Sequence, residues 1–126
     1  MQSHKPTKTV IFVSPRKPEV VLEQEMEALG VNVQWASSIV ATAALLNASI
    51  EDAVVITELA LADGNWSDLV ERTRALGGFI PIVLVTSART AELWWDALER
   101  GVEDILVAPL SAYRLYQLFE NQAGGI

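Results

Sequence analysis

Apolar runs of strand length recur at 9–13, 31–35, 53–58, 81–86 and 104–108, and an amphipathic segment follows each of them. Rich in Val and Ile and bounded by Pro, Gly, Ser or Asp, these runs read as strands, and the segments between them carry apolar residues at helical spacing. Strands that alternate with helices through short connections build a parallel sheet covered on both faces, and right-handed crossovers leave few ways to wind it. The first, third and fourth runs are the most apolar and so belong in the centre, where both faces are buried. The second, Val31-Asn32-Val33-Gln34-Trp35, alternates apolar with polar, the pattern of a strand with one less buried face. The expected fold is one α/β domain over residues 8–121, a doubly wound five-stranded parallel sheet in the order 2-1-3-4-5 with five helices. Residues 1–7 and 122–126 show no such pattern and read as flexible termini.

The helices can be placed by their caps. One over 19–29 follows Pro18 and ends at Gly30, with Val21, Leu22, Met26 and Leu29 expected inward. Ser37 or Ser38 caps the next, whose inward stripe is Val40, Ala43, Ala44 and Leu45 or Leu46, and Asn47 ends it. A third, over 66–76, points Leu69, Val70, Thr73 and Leu76 inward after the turn Asp63-Gly64-Asn65, in which Asp63 is expected to serve the turn itself. Thr90 caps a helix over 91–100, and Ser111 caps the last, where Leu115, Leu118 and Phe119 share a side. Trp35 reads as structural, covering a helix or the sheet edge.

Composition removes several kinds of function. A net charge of −7 opposes nucleic-acid phosphates and anionic lipid alike, and no Lys/Arg run offsets it. No apolar stretch reaches the ~18 residues that a bilayer demands, and the N-terminus lacks an apolar signal core. With no Cys there is no disulfide, thiolate metal site or thiol nucleophile, and the lone His4 lies in the polar lead-in. The expectation is a cytoplasmic domain that binds neither nucleic acid nor membrane.

In a sheet of this order, sites form beyond the C-terminal strand ends, near the switch point between the first and third strands. Those ends here are Ser14-Pro15, Glu58, Thr86-Ser87 and Ala108-Pro109. One carboxylate beside hydroxyl loops is a thin catalytic set, because acid–base work needs a partner group to push the pKa values apart. A hard divalent cation usually requires more than one anionic oxygen. Neither a P-loop nor G-x-G-x-x-G follows the first strand. Enzymatic activity and a bound cofactor or metal are therefore not expected.

Three stretches carry a resemblance: Ile56-Thr57-Glu58-Leu59-Ala60-Leu61-Ala62-Asp63-Gly64-Asn65, Ile82-Val83-Leu84-Val85-Thr86-Ser87-Ala88 and Gly101-Val102-Glu103-Asp104-Ile105-Leu106-Val107-Ala108-Pro109-Leu110. In this order and spacing the chain resembles the receiver domains of two-component response regulators over nearly all of residues 9–121. The resemblance implies a flavodoxin-like fold. It also implies a phosphorylation site made of an acidic pair that binds magnesium, an acceptor aspartate, a hydroxyl residue and a lysine before a proline. By position these fall on Ser14 and Pro15, Glu58, Thr86, and Ala108 before Pro109, of which only Thr86 and Pro109 match. The pattern is that of a degenerate receiver, or pseudo-receiver, with the metal ligands and lysine lost and no ordinary phosphorylation. The peptide bond before the proline is often cis in this family, and Ile105 stands where many members carry an aromatic switch residue.

Glu58 then has two readings. As a longer carboxylate it imitates a phosphorylated aspartate by bonding Thr86, or it is a strand-end residue paired with a loop cation, Arg16 or Arg89. The resemblance further implies a partner or dimer face on the fourth helix, fifth strand and fifth helix, which would draw on Trp94, Trp95, Ile105, Tyr113 and Tyr116. Trp94 and Trp95 lie ~100° apart on a helix, so either one packs inward and the other lies on the surface, or both anchor an interface. The expected function is a phosphorylation-independent signalling or protein-interaction module. The alternatives are a receiver phosphorylated unconventionally and a small-ligand sensor.

Overall fold

Branching at Cβ suits Val and Ile to a pleated surface packed on both sides, and these residues fill the strand interiors. In the computed structural model, which describes residues 8–16, 18–48 and 52–123, the main strands are β1 (Thr9–Val13), β2 (Asn32–Ala36), β3 (Ala53–Glu58), β6 (Ile82–Thr86) and β7 (Asp104–Val107). Two residues each, β4 (Ala60–Leu61) and β5 (Gly64–Asn65) form a separate antiparallel ladder in the turn after β3. The helices are α1 (Val20–Ala28), α2 (Ile39–Asn47), α3 (Trp66–Ala75), α4 (Ala91–Glu99) and α5 (Ala112–Ala123). All pairings in the main sheet are parallel, in the order β2-β1-β3-β6-β7, which is the expected 2-1-3-4-5 among the five long strands. The fold is a flavodoxin-like doubly wound domain. Among the described residues no helix is long and apolar enough to cross a membrane.

Side chains alternate across the central strands and so divide the core in two. Ile11, Val13, Val55, Ile82, Leu84 and Ile105 meet α2, α3 and α4 through Ile39, Leu69, Val70 and Ala97. Val10, Phe12, Val54, Ile56, Val83 and Leu106 meet α1 and α5 through Leu22, Met26, Ala112 and Leu115. The register pairs Val13 with Thr57 and Glu58 with Val85, which sets the strand ends side by side at one edge.

Several inward faces differ from expectation. On α1 only Leu22 and Met26, one turn apart, are buried; Val21 is 67% exposed, and Leu29 lies at the C-cap, where the helix has ended. Val31 takes its place in the core, its N–H donating to the Met26 carbonyl. On α2 the buried residues are Ile39, Thr42 and Ala43, while Val40 and Ala44 face solvent. The start of α2 is held from outside the helix. The Asp63 carboxylate, in the turn between β4 and β5, accepts the Ile39 N–H at 2.7 Å and the Val40 N–H at 3.1 Å. Asp63 is thus a long-range cap for α2, working beside Ser38, whose Oγ accepts the Ala41 N–H.

Other helix starts follow the sequence. Asn65 and Asp68 form a reciprocal capping box on α3, Thr90 caps α4, and the Ser111 Oγ accepts the Arg114 N–H. Gly64 is required by space: a Cβ there would lie 2.7 Å from Asp68 Oδ2 and 2.8 Å from Ile39 Cδ1. At the C-terminal end, α5 runs to Ala123, two residues past the expected limit of 121. The Phe119 side chain and the termini 1–7 and 124–126 lie outside the described residues.

The Ile39 N–H above all, with that of Val40, holds the Asp63 carboxyl below its ordinary value. A lowered folded value contributes stability that is full above the unfolded value of about 3.9 and is lost as pH falls through the folded one. Asp63→Ala should therefore lower Tm at neutral pH, and the gap to the parent should close only below about pH 4. Thermal melts across that range check this, and a gap as wide in acid as at neutrality would contradict it.

Candidate functional site

β1, β3, β6 and β7 all end at the same edge, where their last side chains and the loops beyond them meet. Period-two alternation carries Phe12 on to Ser14 and Ile56 on to Glu58, so both polar residues rise on the α1/α5 side of the sheet. There the Ser14 hydroxyl donates to Glu58 Oε2 at 2.6 Å. The Arg16 guanidinium donates to the same oxygen from Nε at 3.1 Å and from Nη2 at 2.6 Å. The loop is folded to permit this, with the Ser14 N–H donating to the Ala36 carbonyl and the Arg16 N–H to Ser14 Oγ. Glu58 holds the Arg16 guanidinium above its ordinary value, through the hydrogen bond first and the opposite charge second. At 24% side-chain exposure against 69% for Arg16, Glu58 is the sheltered member of the pair.

Thr86 is buried and does not reach Glu58. Its Oγ1 pairs with the Ala88 backbone, donating to the carbonyl at 3.0 Å and accepting the N–H at 3.3 Å. Arg89 turns the other way, donating to the Ile105 carbonyl at 2.7 Å, with its guanidinium carbon 5.3 Å from the Trp94 ring centroid. Of the two loop cations open to Glu58 in the sequence, the structure brings Arg16 to it. Ala108 is exposed, its N–H donates to the Thr86 carbonyl, and the bond to Pro109 is cis. Among the described residues, no group of three or more His, Asp and Glu side chains is placed to hold a metal ion.

The residues expected at a contact face separate. Trp95 is 64% and Tyr113 67% exposed, whereas Trp94 is half-buried against the α2/α3/α4 core and Tyr116 half-buried against the α1/α5 core. Ile105 must be removed from that face: at 1% exposure it sits in the core, because alternation in β7 turns it toward α3 and α4. Leu98 on α4 and Val107 at the end of β7, each 44% exposed, are the apolar residues that sequence reasoning missed there. Val107 is two residues beyond Ile105, on the same face of an edge strand but past the cover of α4.

Trp35 stacks on Phe12, ring centroids 4.7 Å apart, and its Nε1–H donates to Glu23 Oε1 at 2.8 Å. It lines a cleft of about 590 Å³ that also takes in Ser14, Arg16, Glu58, Ala108 and Pro109. The sequence places the strand-end residues together but carries no signal of a concavity, which depends on how α1 and the loop before α5 stand off from the sheet.

No protein-family model and no curated protein matches the chain. Solved structures do. A two-component response regulator from Clostridium difficile superimposes with a TM-score of 0.78 at 22% identity, covering 90% of this chain and 93% of that one. The chemotaxis protein CheY4 of Vibrio cholerae gives 0.78 at 18% identity, with 91% and 98% covered. The non-phosphorylated HemR receiver domain of Leptospira biflexa gives 0.74 at 21%, with 91% and 92% covered. The chain has the fold of these proteins. Likeness at such identity establishes the architecture and leaves the chemistry to the side chains described above.

The convergence of three donors on one carboxylate oxygen has a direct spectroscopic consequence. The Arg16 Nε–H should give a resolved, exchange-protected signal in the parent protein that disappears in Glu58→Ala. An unprotected Nε–H in the parent would contradict the arrangement.

Proposed function

We propose that this chain is a receiver-type signalling domain that acts through protein contact and independently of phosphorylation. The observation that carries the reading is the commitment of Glu58 to Ser14 and Arg16. Phosphoryl transfer at a receiver site needs a divalent cation and a cationic side chain to stabilise the charge that develops on the transferred group. The donor set here does not fit magnesium. Ser14 spends its hydroxyl proton on Glu58, Pro15 offers no side-chain donor atom, and the Arg16 guanidinium places a positive charge directly on Glu58 Oε2. Ala108 brings a methyl group where the resemblance would put an ammonium. Thr86, bonded to its own loop, gives no support to Glu58 as an imitation of a phosphorylated aspartate.

With acyl-phosphate chemistry set aside, output falls to surfaces. The proposed contact face lies on α4, β7 and α5, where Trp95, Leu98, Val107 and Tyr113 are exposed. Aromatic residues of this kind supply large contact area and are enriched among residues that dominate binding energy. The partner is a protein, either a second copy of this chain or another signalling component, met in the cytoplasm.

Incubation with magnesium and acetyl phosphate, followed by intact-mass measurement, should show no metal-dependent gain of a phosphoryl group. A stoichiometric gain that requires the metal would overturn phosphorylation independence. For the face, Trp95→Ala and Tyr113→Ala should each weaken association with the partner, or self-association in sedimentation, by about tenfold, without moving Tm. Association unchanged in both variants would remove this face from the proposal.

A further inference from the structure

The cleft at the C-terminal sheet edge opens on the α1/α5 side, away from α4, and the proposed contact face makes no use of it. Phe12, Ile56 and Val85 form its floor, and Leu22, Trp35 and Leu110 rise around it. All six are apolar; Phe12, Ile56 and Leu22 are buried, and Trp35, Val85 and Leu110 are partly exposed. A volume of about 590 Å³ falls within the range of about 300–1,000 Å³ typical of small-molecule sites, which pair apolar walls with a few convergent polar groups. Two features keep it open. Ser14 and Ala108 have short side chains at the mouth, and Trp35 is fixed in place by the Phe12 stack and the bond to Glu23.

The polar groups at the mouth decide what it would take. Among the described lining residues, Arg16 and Glu58 neutralise each other, and Glu19, exposed on the same rim, adds a negative charge. The chain as a whole carries −7, so its field repels anions and favours cations at a half-enclosed mouth. Ser14 and Arg16 direct their bonds to Oε2 of Glu58, which leaves Oε1 as an acceptor at the mouth for a ligand group that donates.

We infer that this cleft binds a small aromatic amine, its ring seated among Phe12, Trp35 and Leu110 and its ammonium or ring N–H directed at Glu58 and Glu19. Such binding adds ligand control to a domain whose acceptor site holds an ion pair. It does not depend on the proposed contact face, since Trp95, Leu98, Val107 and Tyr113 do not line the cleft.

The test uses the full chain, labelled with nitrogen-15, titrated with naphthylmethylamine and separately with naphthoate, which share a ring system and differ in charge. The amine should give saturable shifts at the Trp35 indole N–H and at the amides of Phe12, Ser14, Glu58 and Ala108. Its Kd should be about 1 mM or lower, a level accessible to a ligand of this size. Naphthoate should bind at least about tenfold more weakly. Ala108→Phe, at an exposed position, should fill the mouth and weaken the amine by about tenfold, and Glu19→Gln should reduce the preference for the amine over naphthoate. No saturable shift up to roughly 10 mM, shifts centred on α4 and α5, or naphthoate binding as tightly as the amine would each overturn the inference. None of these outcomes touches the phosphorylation measurement, so the two ideas fail separately.

Discussion

The alternation of side chains along β3 is the constraint on which the rest of the molecule depends. This strand pairs with β1 on one side and β6 on the other, so its register is fixed from both. Val54 and Ile56 face α1 and α5, and Val55 packs on the opposite core, with Thr57 fully buried two residues beyond it. A slip of one residue would exchange the faces and carry Glu58 toward the α2/α3/α4 side. Held where it is, Glu58 continues the Val54–Ile56 face to the point where the sheet ends and solvent begins. Ser14 does the same after Phe12, and so two neighbouring strands deliver a hydroxyl and a carboxylate to one spot.

The ion pair that results is a poor candidate for a stabilising device. Its cation is largely exposed, and pairs of this kind gain little against solvent screening and the loss of side-chain freedom. Its effect is local: the Ser14 Oγ accepts the Arg16 N–H while donating to Glu58, so loop and carboxylate order each other. Three donors from the loop after β1 thus converge on one oxygen of the sheltered carboxylate.

Much of the fold was legible because its signals are local. Apolar runs, capping residues and glycine stops place the strands and helices to within a residue or two, and the hydrophobicity of the first, third and fourth runs sets the strand order. The helix faces were less legible. Val21 and Val40 satisfy an amphipathic pattern, yet each is exposed, and such a pattern does not say which distant group holds a helix end. For α2 that is Asp63, 24 residues beyond the first amide it accepts, and no local pattern announces such a reach. At the site, proximity of Ser14, Glu58, Thr86 and Ala108 followed from topology alone. The choice of Arg16 over Arg89 did not, since it turns on Arg89 finding the Ile105 carbonyl and the Trp94 ring first. Burial of Ile105 could have been read from its place between Asp104 and Leu106 in a strand, had the contact face been argued from alternation rather than from likeness.

The tryptophan pair shows how one short helix can serve the core and the surface at once. Trp94 leans on the α2/α3/α4 core beneath Arg89, which is itself tied to the β7 backbone, so the ring and the cation together fasten the start of α4 to the sheet edge. Trp95, one residue on and a helical step around, gains nothing from that packing and remains 64% exposed. Exposed apolar side chains occur elsewhere, at Val20, Val21, Val40 and Phe79, and scattered examples need no explanation. Those on α4, β7 and α5 differ in being carried by elements consecutive along the chain, two of them aromatic. Anchoring by Trp94 and Arg89 makes that part of the surface rigid, and a rigid aromatic surface loses less freedom when a partner covers it. The same fastening that completes the core thus leaves Trp95 on a surface held from beneath.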